Sequence, residues 1–205
     1  MMDRILPNED HEISEEVEKN FKKSGIKITK GVKVSKIQSM KQNAKVYLEK
    51  KTSDEVIKVE KVLLAVGVTG NINNLGLEDL GIETEAGAIK TDNYNRTNIE
   101  NIYAIGDVCG PPWLAHVASA QGHLAAEHSA GLNVNPIDYS NIPGCTYCQP
   151  QVGSLGMTEE QAISSGFKVK VGRFSFQASG KAMATGNTIG SVSYTHLTLP
   201  TTYEV

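Results

Sequence analysis

The chain has 205 residues, 40% of them hydrophobic and 21% charged, with a formal net charge of -3. That is the composition of a globular protein with apolar material for a core and room for one large or two small domains. The slight acidity argues against nucleic acid or an anionic membrane as the main partner, no apolar run approaches a membrane span, and three cysteines make no even disulphide framework, which points to a reducing cytoplasm.

Asp10–Lys23 reads as a helix, because Ile13, Val17 and Phe21 recur at i, i+4 and i+8. Acidic residues crowd its first half and Lys19, Lys22 and Lys23 its end, which complements the helix dipole. Gly25 closes it, and its acidic run reads as a solvated face. Strands are expected at Ile26–Thr29, Val32–Gln38, Lys45–Lys50 and Val56–Val66, with turns at Gly31 and Ser53-Asp54. The last strand holds the apolar run Val62-Leu63-Leu64-Ala65-Val66. A helix followed by strands fits the back half of a nucleotide-binding α/β domain.

Further along, Gly87–Thr91 reads as a strand. Ile102, Tyr103, Ala104 and Ile105 then predict a short buried strand running into Gly106-Asp107. Gly110-Pro111-Pro112 turns the chain, and from Trp113 small and apolar residues recur at helical spacing as far as Gly131, a natural C-cap. Strand, tight turn and helix N-terminus place the Asp107 carboxylate beside unpaired backbone N–H groups. That arrangement suits a ligand with hydroxyls for the carboxylate and an electron-rich edge for the amides. His116, His123 and His128 are spaced by seven and five and do not share a face as an i, i+4 pair would, so no metal is expected.

Cys145-Thr146-Tyr147-Cys148 is a C-x-x-C, but Gln149-Pro150 and Val152-Gly153 follow it instead of a helix. It therefore reads as an extended piece, without the helix N-terminus of a redox dithiol or the second ligand pair of a zinc site. Thr158-Glu159-Glu160-Gln161 is a capping box that opens a short helix ending at Gly166. Phe167–Phe174 alternates as a strand. From Ser191 the chain reads Ser191-Val192-Ser193-Tyr194-Thr195-His196-Leu197, which resembles the in-frame translation of a sequencing-library adaptor. Residues 191–205 are accordingly expected to be a non-native tail.

Several of these stretches resemble the pyridine nucleotide-disulphide oxidoreductase family. Thr97–Asp107 is similar to its second flavin-binding motif, T-x-x-I-Y-A-I-G-D, and Asp3–Ile13 to its D-R-I-L-P-x-E-D-x-E-I. Ala65–Asn71 resembles A-x-G-x-x-P-N, with Thr69-Gly70 where Arg-Pro is usual, and Leu75–Ile82 resembles G-L-E-x-L-G-I. The Pro111–His116 run, Gly156–Ala162 and Phe176–Ala182 are closest to the dihydrolipoamide dehydrogenase branch.

The resemblance implies an α/β protein: an incomplete FAD/NAD(P)-binding three-layer fold followed by the start of an α+β dimerisation domain. It implies boundaries at 1–70 for the NAD-binding part, 71–138 for the FAD-binding part and 139–190 for the dimerisation part. It also implies that Met1 falls inside a domain, just after the acidic residue that holds the NAD ribose. By the same resemblance Asp107 holds a ribitol hydroxyl of FAD, and the amides near Leu114, Ala115 and His116 stabilise charge on the flavin. Gly67 lets backbone approach the nicotinamide half of NAD, and Val34 packs on its adenine.

The activity implied is oxidation of dihydrolipoamide, carried on a lipoyl domain, with NAD. The enzyme would be a homodimer serving 2-oxo acid dehydrogenase or glycine cleavage complexes. The redox-active disulphide, the FAD pyrophosphate loop and the catalytic His-Glu pair are not among these residues, so no residue here is assigned a catalytic role. Two alternatives stay open: another disulphide reductase of the superfamily, of the glutathione or mercuric reductase kind, and a non-catalytic binding or dimerisation module.

Overall fold

The apolar stripe at 13, 17 and 21 folds as α1, His11–Lys23, with Val17 buried at its centre. A computed structural model describes residues 2–50 and 54–197. The chain divides into two units, one made of Met1–Leu63 with Pro143–Val205, the other of Leu64–Ile142. Among the described residues no helix is long and apolar enough to cross a membrane.

In the first unit, α1 ends as expected at Gly25, whose φ of +86° lets Ile26 N–H reach back to Phe21 C=O. Glu12 and Glu15 are exposed, as a solvated face requires, but Glu18 is buried. Lys22 Nζ and Lys30 Nζ donate to its two oxygens at 2.6 and 2.7 Å, and these bonds hold its carboxyl below the usual carboxylate range. β1 (Lys33–Ser39), β2 (Ala44–Glu49) and β3 (Glu55–Val59) form an antiparallel meander in the order β1-β2-β3. Ala44 and Leu48, two turns of the pleat apart, give β2 its buried face.

The C-terminal segment of the same unit supplies two hairpins and two short helices. β6 (Gly144–Thr146) pairs with β7 (Val152–Ser154), and β8 (Val169–Ser175) with β9 (Ser191–Leu197). α3, Glu159–Ser164, opens on the predicted capping box: Thr158 Oγ1 accepts from Gln161 N–H, and Gln161 Oε1 accepts from Thr158 N–H. α4 spans Gly180–Ala184. Asp10 stands at the N-cap of α1 but makes no side-chain cap there. Its Oδ1 instead accepts from Glu159 N–H at 2.8 Å, so the first helix caps the third. Arg4 pairs with Glu160 at 2.9 Å, and Arg173 with Glu12 and Glu159.

The second unit is built on Leu77, Ile82, Ile89 and Ala104, with Ile72, Ile99, Ile102, Val108 and Cys109 packed around them. β4 (Thr84–Glu85) and β5 (Ala88–Ile89) form a small hairpin over this core, and α2 spans Ala115–Ser129. Gly131, at φ +79°, donates to His128 C=O while Leu132 N–H returns to Glu127 C=O, the C-terminal closure expected there.

Three strand expectations are corrected. Ile26–Thr29 is not a strand; among the described residues this stretch meets no neighbouring strand. The long strand at Val56–Val66 stops at Val59, and Leu63 and Val66 beyond it are 91% and 93% exposed. Ile102–Ile105 makes a single bridge, Tyr103 to Arg96, instead of a ladder. All three have the composition of a strand, but no described strand pairs with the first, or with the second beyond Val59, and Ile102–Ile105 pairs only with the short return at Asn95–Thr97. Ser53 of the expected turn, and residues 198–205 of the expected tail, lie outside the described residues.

Candidate functional site

Asp92 organises the turn against which the chain leading to Asp107 is laid. Its Oδ1 accepts from Tyr94 N–H and Arg96 N–H, both at 2.9 Å, and its Oδ2 accepts from Arg96 Nε at 3.2 Å. Burial pulls the Asp92 pKa up, but the Arg96 and Tyr94 amides and the Arg96 guanidinium outweigh it and hold the group below its ordinary value. A carboxyl depressed in the folded state adds stability above its unfolded value of about 3.9, and that stability is lost as pH falls through the folded value. The gap between urea midpoints at pH 7 and pH 3 is therefore expected to shrink in Asp92→Asn. An unchanged gap would show that this turn does not feel the charge.

The turn at Asp92 brings Asn95 and Thr97, both buried, alongside Ile102 and Ala104. Ala104 N–H donates to Asn95 C=O at 2.9 Å, and Thr97 Oγ1 donates to Ile102 C=O at 3.0 Å while accepting from Ile99 N–H. The extended chain then enters a 3-10 turn, Gly106–Cys109, which carries Asp107. Gly106 has φ +76°, a conformation costly for any residue with a Cβ, and it begins the turn against Ala118 of α2. Cys109 is half-buried at the end of the turn, and burial pushes its thiol pKa up to about 11, so it stands as a neutral thiol.

Asp107 itself is exposed, and its carboxylate accepts no hydrogen bond from a described residue. Leu114 is the half-buried N-cap of α2, in extended conformation, and Ala115 and His116 are the first two helical residues, both exposed. These four residues share one turn-and-helix. The N-terminal end of such a helix carries partial positive charge. Gly67 is exposed with φ +130°, and nothing crowds it within 4 Å. Val34 is half exposed on β1 of the other unit.

Two further residues shape the site, and sequence reasoning missed both. A Cβ on Gly70 would lie 3.0 Å from Gly87 C=O and 3.2 Å from Asp107 C=O, so any side chain there presses on both backbones. The replacement of Arg-Pro by Thr69-Gly70 was the signal. Gln121, buried in α2, accepts from Gly106 N–H through Oε1 at 2.7 Å and donates to Tyr139 Oη through Nε2 at 2.8 Å. Nothing in the helical pattern marks it. Farther along α2, His128 stacks on Tyr94 and its Nδ1 lies 2.8 Å from Tyr103 Oη, tying the helix to the extended chain.

The crevice beside this turn, about 440 Å³, is lined by Val68, Thr69, Gly70, Cys109, Gly110 and Trp113. An exposed carboxylate that no described residue hydrogen-bonds, a close backbone crossing at Gly70 and a helix N-terminus fit a ligand that offers hydroxyls and an electron-rich edge. The C-x-x-C offers no such site. Cys145 lies on β6, but Cys148 falls in the loop between β6 and β7, where it donates through Sγ to Pro150 C=O at 3.0 Å, so only the first half of the segment is extended.

The family model for pyridine nucleotide-disulphide oxidoreductases matches residues 1–122, and that for the dimerisation domain of the same proteins matches residues 142–195. The chain is 47% identical over 196 residues to a dihydrolipoyl dehydrogenase of Rhizobium etli, covering 94% of this chain and 40% of that enzyme. It is 43% identical over 192 residues to the dihydrolipoyl dehydrogenase of Bacillus subtilis, covering 93% and 40%. The chain thus spans about 40% of the length of the curated relatives it matches.

Among solved structures, LpdA of Mycobacterium tuberculosis superposes with a TM-score of 0.85 over 95% of this chain and 42% of its own, at 24% identity. RclA, an HOCl-induced flavoprotein disulphide reductase of Escherichia coli, gives 0.85 over 96% and 45%, also at 24% identity. The α/β expectation, part of a nucleotide-binding fold followed by the start of a dimerisation domain, is borne out.

Proposed function

The chain belongs to the pyridine nucleotide-disulphide oxidoreductase family, and on that premise we propose that it forms part of a dihydrolipoyl dehydrogenase. The observation that carries the reading is the exposed Asp107 carboxylate, which no described residue hydrogen-bonds, on a fixed 3-10 turn with the N-terminus of α2 close behind it in sequence. The accompanying domain division runs 1–70, 71–138 and 139–190.

In this reading Asp107 accepts a hydrogen bond from a ribitol hydroxyl of FAD. The amides of Leu114, Ala115 and His116 face the electron-rich edge of the ring, where the α2 dipole favours negative charge. Gly67, free of crowding, lets its backbone approach the nicotinamide half of NAD, and Val34 packs against adenine. When bound, FAD passes an electron pair between a dithiol and NAD. The residues of this chain bind and orient. Its dimerisation segment supports a homodimer, and dihydrolipoamide on a lipoyl domain of a 2-oxo acid dehydrogenase or glycine cleavage complex is the substrate. Three unpaired cysteines, Cys109, Cys145 and Cys148, fit a reducing cytoplasm.

The test is a chimera in which residues 3–190 of this chain replace the matching stretch of the Rhizobium etli relative. It is expected to purify as a dimer with FAD and to reduce NAD with dihydrolipoamide. Asp107→Ala removes a charged hydrogen bond of about 1.5–3 kcal/mol, so FAD is expected to bind roughly ten- to a hundredfold more weakly. A folded dimeric chimera without FAD, or one whose FAD affinity ignores Asp107→Ala, would overturn the reading.

A further inference from the structure

We infer that Gln121 is the positioning residue for Asp107, setting the direction of the carboxylate through the turn that carries it. The inference rests on the flavin reading above. Ala118, Gln121 and Gly122 lie on one face of α2, and the entry to the turn is seated on that face. The space at Gly122 is filled by Ile105 Cδ1, 3.3 Å from where a Cβ would be, and Gly106 approaches the Ala118 methyl. Apolar contact alone leaves the turn free to slide along this face. The Gln121 amide removes that freedom, because it bonds Gly106 N–H directly, one residue before Asp107.

The amide can face only one way. Gly106 N–H is a donor, so Oε1 must meet it, and Nε2 is then directed at Tyr139 Oη, which accepts. Flipping the amide would set two donors against each other at Gly106. Gln121 is 6% exposed, so its amide is largely screened from solvent. The helix, the turn and the 3-10 segment Tyr139–Asn141 are thereby pinned at one buried atom group. A leucine of similar size would fill the space and leave Gly106 N–H without its acceptor.

The experiment uses two preparations. In the full 205-residue chain, Gln121→Leu is expected to raise the hydrogen-exchange rate of Gly106 N–H about tenfold or more, while Gln121→Glu, which still offers an oxygen, restores protection. In the chimera, Gln121→Leu is expected to weaken FAD about tenfold by fluorescence titration of the folded protein, with rescue by Gln121→Glu.

The deciding measurement is the double variant. If Gln121 acts through Asp107, Gln121→Leu has little further effect on FAD affinity once Asp107 is alanine. Additive losses, or an unchanged FAD affinity in Gln121→Leu beside a clear loss in Asp107→Ala, would overturn the inference and leave the flavin reading standing. Indifference of FAD to Asp107→Ala would overturn the flavin reading itself and the inference with it.

Discussion

Leu77→Ala is expected to destabilise the chain by about 2–5 kcal/mol, the range for truncating a buried leucine where the surroundings collapse only in part. Leu77 is 7% exposed in the cluster with Ile82, Ile89 and Ala104. Val108 and Cys109 pack on the same cluster, and both belong to the 3-10 turn that carries Asp107. The cavity would therefore open beneath the proposed ribitol contact, and FAD affinity is expected to fall with stability. Urea denaturation followed by circular dichroism reads the first effect. Leu75→Ala, two residues away and 55% exposed, is the control and should stay within about 0.5 kcal/mol. If the two variants behave alike, the cluster is not the core of this unit.

Gly70→Ala is expected to cost about 1–3 kcal/mol by overpacking. The added methyl would meet the carbonyl oxygens of Gly87 and Asp107 at 3.0 and 3.2 Å and Val108 Cα at 3.2 Å. All three are backbone atoms, so no rotamer change relieves the contact, and the chain must move. Because one of the displaced groups is the Asp107 peptide itself, the loss should reach the ligand as well as the fold. Gly153→Ala makes the contrast. A Cβ there meets nothing within 4 Å, and the change should be neutral or stabilising by up to about 1 kcal/mol through the unfolded chain. Equal midpoints for Gly70→Ala and the parent would remove Gly70 from the site.

Helices α1, α2 and α3 were legible in the sequence because their signals are local, whereas α4 at Gly180–Ala184 was not expected. The stripe through Val17, the capping box at Thr158 and the glycine closures at Gly25 and Gly131 each depend on residues within a turn or so. Strands need a distant partner, and composition cannot name it. Val62–Val66 has the apolar content of a buried strand, yet the ladder ends at Val59. Tyr103, amid a convincing β sequence, pairs with Arg96 through one bridge only. Asp107 could be picked out because turn and helix follow it directly. Gln121 could not, since a polar residue within a helix tells nothing of which backbone amide lies opposite. Gly70 was visible only as a departure from a pattern, and its reason lies in two backbones brought together from the stretches after 86 and 106.

The bond from Asp10 to Glu159 spans 149 positions, that from Arg4 to Glu160 spans 156, and that from Arg173 to Glu12 spans 161. On the ribosome this separation becomes a waiting time. Residues 64–142 form one continuous stretch, and their tightest ties, such as Gly106 to Gln121 at a separation of 15, close as soon as that stretch emerges. α1 emerges before that stretch, but its Asp10 carboxylate has no α3 to cap until Glu159 has been made. At about 5–20 residues per second, α1 is left without its native partner for on the order of ten seconds. The order of synthesis and the order of assembly are therefore opposed: α1 is made before residues 64–142 and secured after them.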